Sequence, residues 1–138
     1  MKPMSLLGMF GLLCFMLVST LQSCSPKFDK TGSDNAINLG AKLPELMGKA
    51  IEPYTKHSDA VNNMLTELQK AADHAASIKG NSNLSSAWKV LKNELAGPFF
   101  NRWKESTKLD KDLVKESVKQ VNASFDAIKK AEQAKKKK

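Results

Sequence analysis

The chain has 138 residues, a formal net charge of +8 and one arginine, Arg102, among its 22 cations. Arginine is the side chain that usually recognises phosphates and bases through paired hydrogen bonds. The composition therefore argues against a dedicated nucleic-acid-binding protein, and the length is enough for a single domain with one hydrophobic core.

The N-terminus has the organisation of an export signal. One positive charge at Lys2 precedes an apolar run over residues 6–18, which ends at Ser19 and Thr20. A secretory signal has a basic start, an apolar core of roughly 7–15 residues and a cleavage site with small residues. A membrane-spanning helix needs about 20 apolar residues, so a retained span is the weaker alternative. We predict that residues 1–23 are a signal peptide that is removed.

The signal closes on Leu21, Gln22, Ser23 and Cys24, and this segment resembles the lipobox of bacterial lipoproteins. That motif has a leucine, two small residues and a cysteine, and Gln22 departs from it. The resemblance implies that Cys24 receives diacylglycerol, becomes the mature N-terminus and carries two or three fatty acyl chains such as palmitate. Two or more chains anchor a protein stably in a membrane.

An ordinary signal peptide with an incidental Cys24 is the alternative interpretation. Cys14 lies in the discarded apolar run, so Cys24 is the only cysteine of the mature chain. A lone cysteine in an oxidising compartment lacks a partner, and lipidation removes that difficulty. Ser25 follows, where an aspartate in enterobacterial lipoproteins signals retention in the inner membrane. The resemblance therefore favours a cell-envelope location at the outer membrane, facing the periplasm or the surface.

Three regions follow in the mature chain. Residues 24–40 are predicted to be the lipidated N-terminus and a flexible tether, because turn-forming residues are frequent there and no apolar period runs through them. Residues 41–134 are predicted to form a helical bundle, and residues 135–138 a basic tail.

Apolar residues at helical spacing predict the elements of that bundle. A first helical region covers residues 41–78, with a break near Pro53. A second helix begins near Asn83 and is interrupted at Gly97 and Pro98. A third runs over residues 110–134, after a segment from Thr107 that resembles a capping box.

The third helix carries an apolar seam whose members are spaced four, three, four and three residues apart. The seam consists of Val114, Val118, Val121, Phe125 and Ile128. This spacing is typical of a helix that packs along its neighbours, as in a coiled coil, and it equally suits a homo-oligomer. No segment alternates long enough to predict a strand. The fold class is therefore all-α, a three-helix bundle or four helical segments if a proline breaks one helix.

The sequence contains no recognisable catalytic or metal-binding motif. His57 and His74 are 17 residues apart, which is not the spacing of a helical metal pair. Active sites need several titratable groups that converge, and no local signature brings them together. We predict a protein that is not an enzyme and has no metal or other cofactor.

Two surface features are candidate contact sites. Phe99, Phe100, Arg102 and Trp103 form a candidate partner contact, since two adjacent phenylalanines on a helix are not expected to face the same core. The alternative is that these aromatic residues form one end of the core.

The C-terminal lysines are a candidate contact for an anionic surface such as phospholipid headgroups, lipopolysaccharide phosphates or peptidoglycan. They are Lys129, Lys130, Lys135, Lys136, Lys137 and Lys138. With one acid among them, the last ten residues carry a charge of +5. The alternative is a frayed end that only improves solubility.

These features predict a non-enzymatic, lipid-anchored envelope protein whose helical domain binds a protein or cell-wall partner. The alternative function is a carrier that holds a lipid or another small molecule in an apolar cavity between helices. The carrier hypothesis depends on Met47, Met64, Trp88 and Phe125, which core packing explains equally well.

Overall fold

A computed structural model describes residues 27–137, with side chains to residue 136; the predicted signal peptide, Cys24 and Lys138 lie outside the described residues. The described chain forms four helices and contains no strand, which confirms the all-α class. The helices are α1 (Lys30–Gly48), α2 (Ser58–Ser77), α3 (residues 82–106) and α4 (Lys111–Ala134).

The helices run alternately up and down, and α1 packs against both α2 and α4 while α2 packs against α3. Both ends of the described chain consequently lie at the same end of the bundle. We call this the termini end and define it as residues 27–32, 77–81 and 132–137. The opposite end, named the loop end, consists of residues 49–57 and 106–110.

Helix α1 begins much earlier than the sequence predicts, so the predicted flexible tether is wrong for residues 30–40. Asp29 caps the helix by accepting a hydrogen bond from the Gly32 backbone N–H at 3.0 Å. Ala36 and Leu39 are buried in the core. Tertiary packing and a good N-cap thus outweigh the weak helix propensity of this segment.

The break predicted near Pro53 is confirmed. Two short 3₁₀ turns, Lys49–Ile51 and Tyr54–Lys56, flank the proline and separate α1 from α2. Backbone hydrogen bonds fix the connection to the loop that precedes α4: Tyr54 N–H donates to the Thr107 carbonyl at 2.8 Å, and Leu109 N–H to the Ala50 carbonyl at 2.7 Å. The break is therefore an ordered corner of the loop end.

The interruption predicted at Gly97 and Pro98 does not occur. Helix α3 continues through the pair, but Leu91–Ala96 adopts π-helical geometry immediately before it. A π-turn accommodates a proline that would otherwise collide with the preceding turn. Gly97 is required for steric reasons, because a Cβ built there would lie 2.9 Å from the Lys92 carbonyl oxygen.

Helix α4 matches its predicted range, but its cap differs from the prediction. Asp110 is the N-cap and accepts hydrogen bonds from the backbone N–H groups of Asp112 and Leu113 at 3.0 and 3.3 Å. Thr107 lies in the preceding loop at a φ of 67°, so the predicted capping box at Thr107 is wrong. The apolar seam faces the core, with Val118 only partly buried.

Candidate functional site

The predicted aromatic contact is part of the core, so the expectation that one of the two phenylalanines is exposed is wrong. Phe99, Phe100 and Trp103 are 7%, 2% and 0% exposed, and only Arg102 of the four candidates lies on the surface. The loop end packs on Trp103. The Trp103 indole N–H donates to the Glu52 carbonyl at 2.9 Å, and the Tyr54 ring packs edge-on against the indole at 5.4 Å.

Polar side chains converge instead at the termini end, where they fasten the start of α1 to the rest of the bundle. The Asp29 carboxylate lies 2.6 Å from His74 Nε2 at the end of α2, while the same oxygen caps α1. The two residues are 45 positions apart in the chain. This pair therefore ties the N-terminal segment to α2.

An ion pair lies next to it and is almost completely buried. Lys135 Nζ donates to Glu132 Oε1 at 3.0 Å and to Asn81 Oδ1 at 2.7 Å, and the Asn81 amide donates to the Ala75 carbonyl at 3.1 Å. The Glu132 and Lys135 side chains are 2% and 6% exposed. Glu132 Oε2 has no hydrogen-bond partner among the described residues. The charge of Glu132 therefore depends on Lys135 for compensation.

Gly32 allows the two acidic groups to approach the start of α1. A Cβ built at Gly32 would lie 2.6 Å from Asp29 Oδ2 and 3.0 Å from Glu132 Oε1. Both oxygens are held by other partners, so neither can move away without losing a hydrogen bond. A glycine is thus needed where the Asp29–His74 and Glu132–Lys135 pairs meet.

We expect Gly32→Ala to lower the free energy of unfolding by about 1–3 kcal/mol, because the added methyl group overpacks this junction. The matched control is Gly48→Ala at the end of α1, where a Cβ meets nothing within 4 Å. That variant is expected to be neutral or to gain up to about 1 kcal/mol from helix propensity. Urea unfolding of both variants makes the comparison, and equal effects would contradict the described packing of Gly32.

The six C-terminal lysines are not equivalent. Lys135 is buried in its ion pair, and the Lys129 side chain lies along α1, within 3.2 Å of a Cβ built at Gly40. Lys130 and Lys136 are exposed, and Lys136 Nζ lies 4.6 Å from the centre of the Phe28 ring. The predicted anionic-surface contact is therefore corrected for Lys135, which is not available to an external partner.

His57 and Glu52 form a separate pair at the loop end, with Nε2 and Oε2 2.5 Å apart. The His57 ring also packs on the Trp103 indole, with ring centres 5.5 Å apart. The hydrogen bond from His57 holds the pKa of the Glu52 carboxyl below its ordinary value of 4.5, against a smaller opposing effect of burial.

A lowered pKa in the folded state makes the contribution of Glu52 to stability depend on pH. This stabilising contribution is fully present above pH 4.5, and it is lost as the pH falls through the lower pKa that Glu52 has in the folded state. We expect the difference in unfolding free energy between the wild type and Glu52→Gln to shrink on acidification below that value. Urea titrations over a pH series measure it, and a difference that stays constant would contradict this assignment.

A shallow groove of about 350 Å³ runs between α1 and α2. Its polar lining includes Asn35, Asn38, Lys42, Glu67 and Lys70. Lys42 Nζ and Glu67 Oε2 face each other across the groove at 3.7 Å. The groove can supply hydrogen bonds and both signs of charge to a partner on the side of the bundle.

The two histidines lie at opposite ends of the bundle, each paired with one carboxylate. Within residues 27–137 no group of three or more histidine, cysteine, aspartate or glutamate side chains has the arrangement of a metal site. None of the four helices combines the length and apolar character needed to cross a membrane.

The four residues behind the carrier hypothesis, Met47, Met64, Trp88 and Phe125, are all buried in the core. The Trp88 and Phe125 rings pack edge to face, with centres 5.9 Å apart. Core packing accounts for these residues, and a ligand-holding cavity stays a prediction.

Comparison of the chain with protein-family models, characterised proteins and solved structures finds no match. Sequence reasoning missed the pairing of Asp29 with His74 and of Glu132 with Lys135. One feature of the sequence indicated that a helix starts here: Asp29 is a residue type that commonly caps helix N-termini, and Gly32 follows three positions later.

Proposed function

We propose that this chain is a lipid-anchored cell-envelope protein whose helical domain binds a protein or cell-wall partner and does not catalyse a reaction. The observation that supports the proposal most is the position of the two chain ends. Lys30, the first residue of α1, comes six positions after Cys24. Acylation of Cys24 would therefore hold the termini end close to the membrane, with no long tether.

The groove between α1 and α2 supports the binding role. It extends along the side of the bundle, so a protein anchored at its termini end presents the groove to the aqueous compartment. The amides, lysines and carboxylate, together with the apolar side chains of Leu39 and Ala71, offer both hydrogen bonds and apolar contact to a partner, either a protein surface or the sugars and peptides of a cell wall. The separation of the two histidines supports a role without catalysis, because an active site needs converging groups.

The anchor is tested by the mass of the mature N-terminus isolated from membranes, for the wild type and Cys24→Ala. The proposal requires acyl chains on Cys24 and requires the variant to lose membrane retention. An unmodified N-terminus at another residue would refute the lipid anchor and leave a secreted or membrane-spanning bundle.

The partner is tested with a photo-crosslinking residue at Asn38 in the groove, in protein that is still in its native envelope. Asn122, which is exposed on α4, is the matched control position. Crosslinks to one protein or to cell-wall fragments from position 38, and not from position 122, are expected. Absence of crosslinks at position 38 would count against the groove as the binding surface.

A further inference from the structure

The termini end gathers positive charge from three separate parts of the chain. Lys27 precedes α1, Lys79 lies in the connection between α2 and α3, and Lys136 follows α4, and all three are exposed. Lys137 and Lys138 continue the chain from the same point. The fold thus adds Lys27 and Lys79 to a basic surface that the sequence places only in the C-terminal tail.

Both acidic side chains within this end already have partners inside the protein. Asp29 is hydrogen-bonded to His74, and Glu132 is paired with Lys135. Lys30 is paired at 2.6 Å with Asp34, one turn further along α1. None of the ion pairs formed within residues 27–137 involves Lys27, Lys79 or Lys136. The exposed charged side chains of this end that have no ionic partner are therefore lysines.

The same end is where the anchor enters. Lys27 comes three positions after Cys24, a distance of at most about 10 Å for an extended chain. Charges at a membrane act over a screening length of about 8 Å at physiological salt. An acylated Cys24 would therefore place the uncompensated lysines within reach of the headgroups of its own membrane.

We propose that the termini end binds the phosphates of anionic phospholipids in the membrane that holds Cys24, through Lys27, Lys79 and Lys136. This inference rests on the proposed lipid anchor. Such binding would orient the bundle with its termini end on the membrane and its loop end pointing away from it. Lys135 takes no part, since it is buried against Glu132, although it lies within the same run of lysines.

The acylated protein is reconstituted in phosphatidylcholine vesicles with and without phosphatidylglycerol, and each lysine is scored by its rate of amine labelling. Labelling of Lys27, Lys79 and Lys136 is expected to slow about fivefold when phosphatidylglycerol is present, and to recover near 1 M salt. Lys56 and Lys108 at the loop end, and Lys104 in the last turn of α3 next to it, are exposed internal controls and keep their rates. Equal rates at both ends would overturn the inference.

A second measurement omits the anchor and uses the mature chain with Cys24→Ser, sedimented with the same vesicles. Replacing Lys27, Lys79 and Lys136 with glutamine is expected to weaken binding to phosphatidylglycerol vesicles about a hundredfold. The matched variant with glutamine at Lys56, Lys104 and Lys108 removes the same charge and is expected to bind as the unsubstituted chain does. Equal losses in both variants would overturn the inference, because binding would then follow net charge alone.

The two proposals fail in different ways. A missing acyl mass on Cys24 refutes the proposed anchor, and the sedimentation measurement still decides whether the termini end binds anionic lipid. An acylated protein with no protection of Lys79 and Lys136 refutes the orientation and leaves the anchor intact. A third outcome is that the protein is retained on isolated cell walls while phosphatidylglycerol changes neither its labelling nor its sedimentation. That outcome would assign the lysines to a wall polymer and would also refute the inference.

Discussion

Lys135→Met is expected to lower the free energy of unfolding by about 3–5 kcal/mol, although the residue belongs to a C-terminal run of lysines. The substitution keeps the length of the side chain and removes the charge that compensates Glu132. It leaves a carboxylate that is 2% exposed without an opposite charge, and it removes a hydrogen bond to Asn81. Urea unfolding followed by circular dichroism measures the loss.

Lys130→Met is the matched control, because Lys130 is exposed near the end of α4, five positions before Lys135. We expect it to change stability by no more than about 0.5 kcal/mol. Adding Glu132→Leu to Lys135→Met is expected to recover more than half of the loss, since apolar residues often replace a buried ion pair without cost. If Lys135→Met behaved like Lys130→Met, the ion pair at the termini end would be refuted.

Trp103→Ala is expected to cost about 3–5 kcal/mol of folding free energy through the cavity it leaves in the core. The indole is fully buried, and its N–H satisfies the Glu52 carbonyl at the loop end. Since single domains are stable by only about 5–15 kcal/mol, this variant is close to the limit of folding. Thermal and urea unfolding both report the loss.

Arg102→Ala is the control at the neighbouring surface position. Its free energy of unfolding is expected to stay within about 0.5 kcal/mol of the wild-type value. Trp103→Phe is expected to cost less than Trp103→Ala, because most of the ring volume is kept while the N–H is lost. A Trp103→Ala variant of wild-type stability that failed to bind a partner would instead restore the aromatic residues as an exposed contact site.

The parts of the fold that the sequence predicted correctly are those encoded by local patterns. The spacing of apolar residues in α4 is regular, and Pro53 cannot continue a helix, so both the seam and the break could be recognised. The all-α class followed from the same periodicity.

The start of α1 was not predictable in this way, because its helical state depends on contacts with distant residues. Thr31, Gly32, Ser33, Asp34 and Asn35 favour turns in isolation. In the bundle, Asp29 caps this segment and pairs with His74, and Ala36 and Leu39 find a core to pack against. Sequence periodicity has no information on partners 45 positions away.

The candidate site was mispredicted for a related reason. The position of Phe99 and Phe100 on adjacent helical faces predicts one exposed ring, but both rings are buried in the assembled bundle, and the loop end covers the neighbouring Trp103. The burial of Lys135 likewise depends on Asn81, which lies 54 positions earlier. What surrounds a residue on all sides is a property of the assembled fold.

The distance between the two chain ends in solution decides whether the termini end is ordered. Spin labels at Lys27→Cys and Lys136→Cys, in the mature chain with Cys24→Ser, report it by pulsed electron resonance. We predict a single narrow and short distance, well below the length of about 36 Å that 24 residues give α4. A broad distribution reaching beyond that length would show a free N-terminal tether, and would remove the ordered termini end on which the anchor and the lipid-binding surface depend.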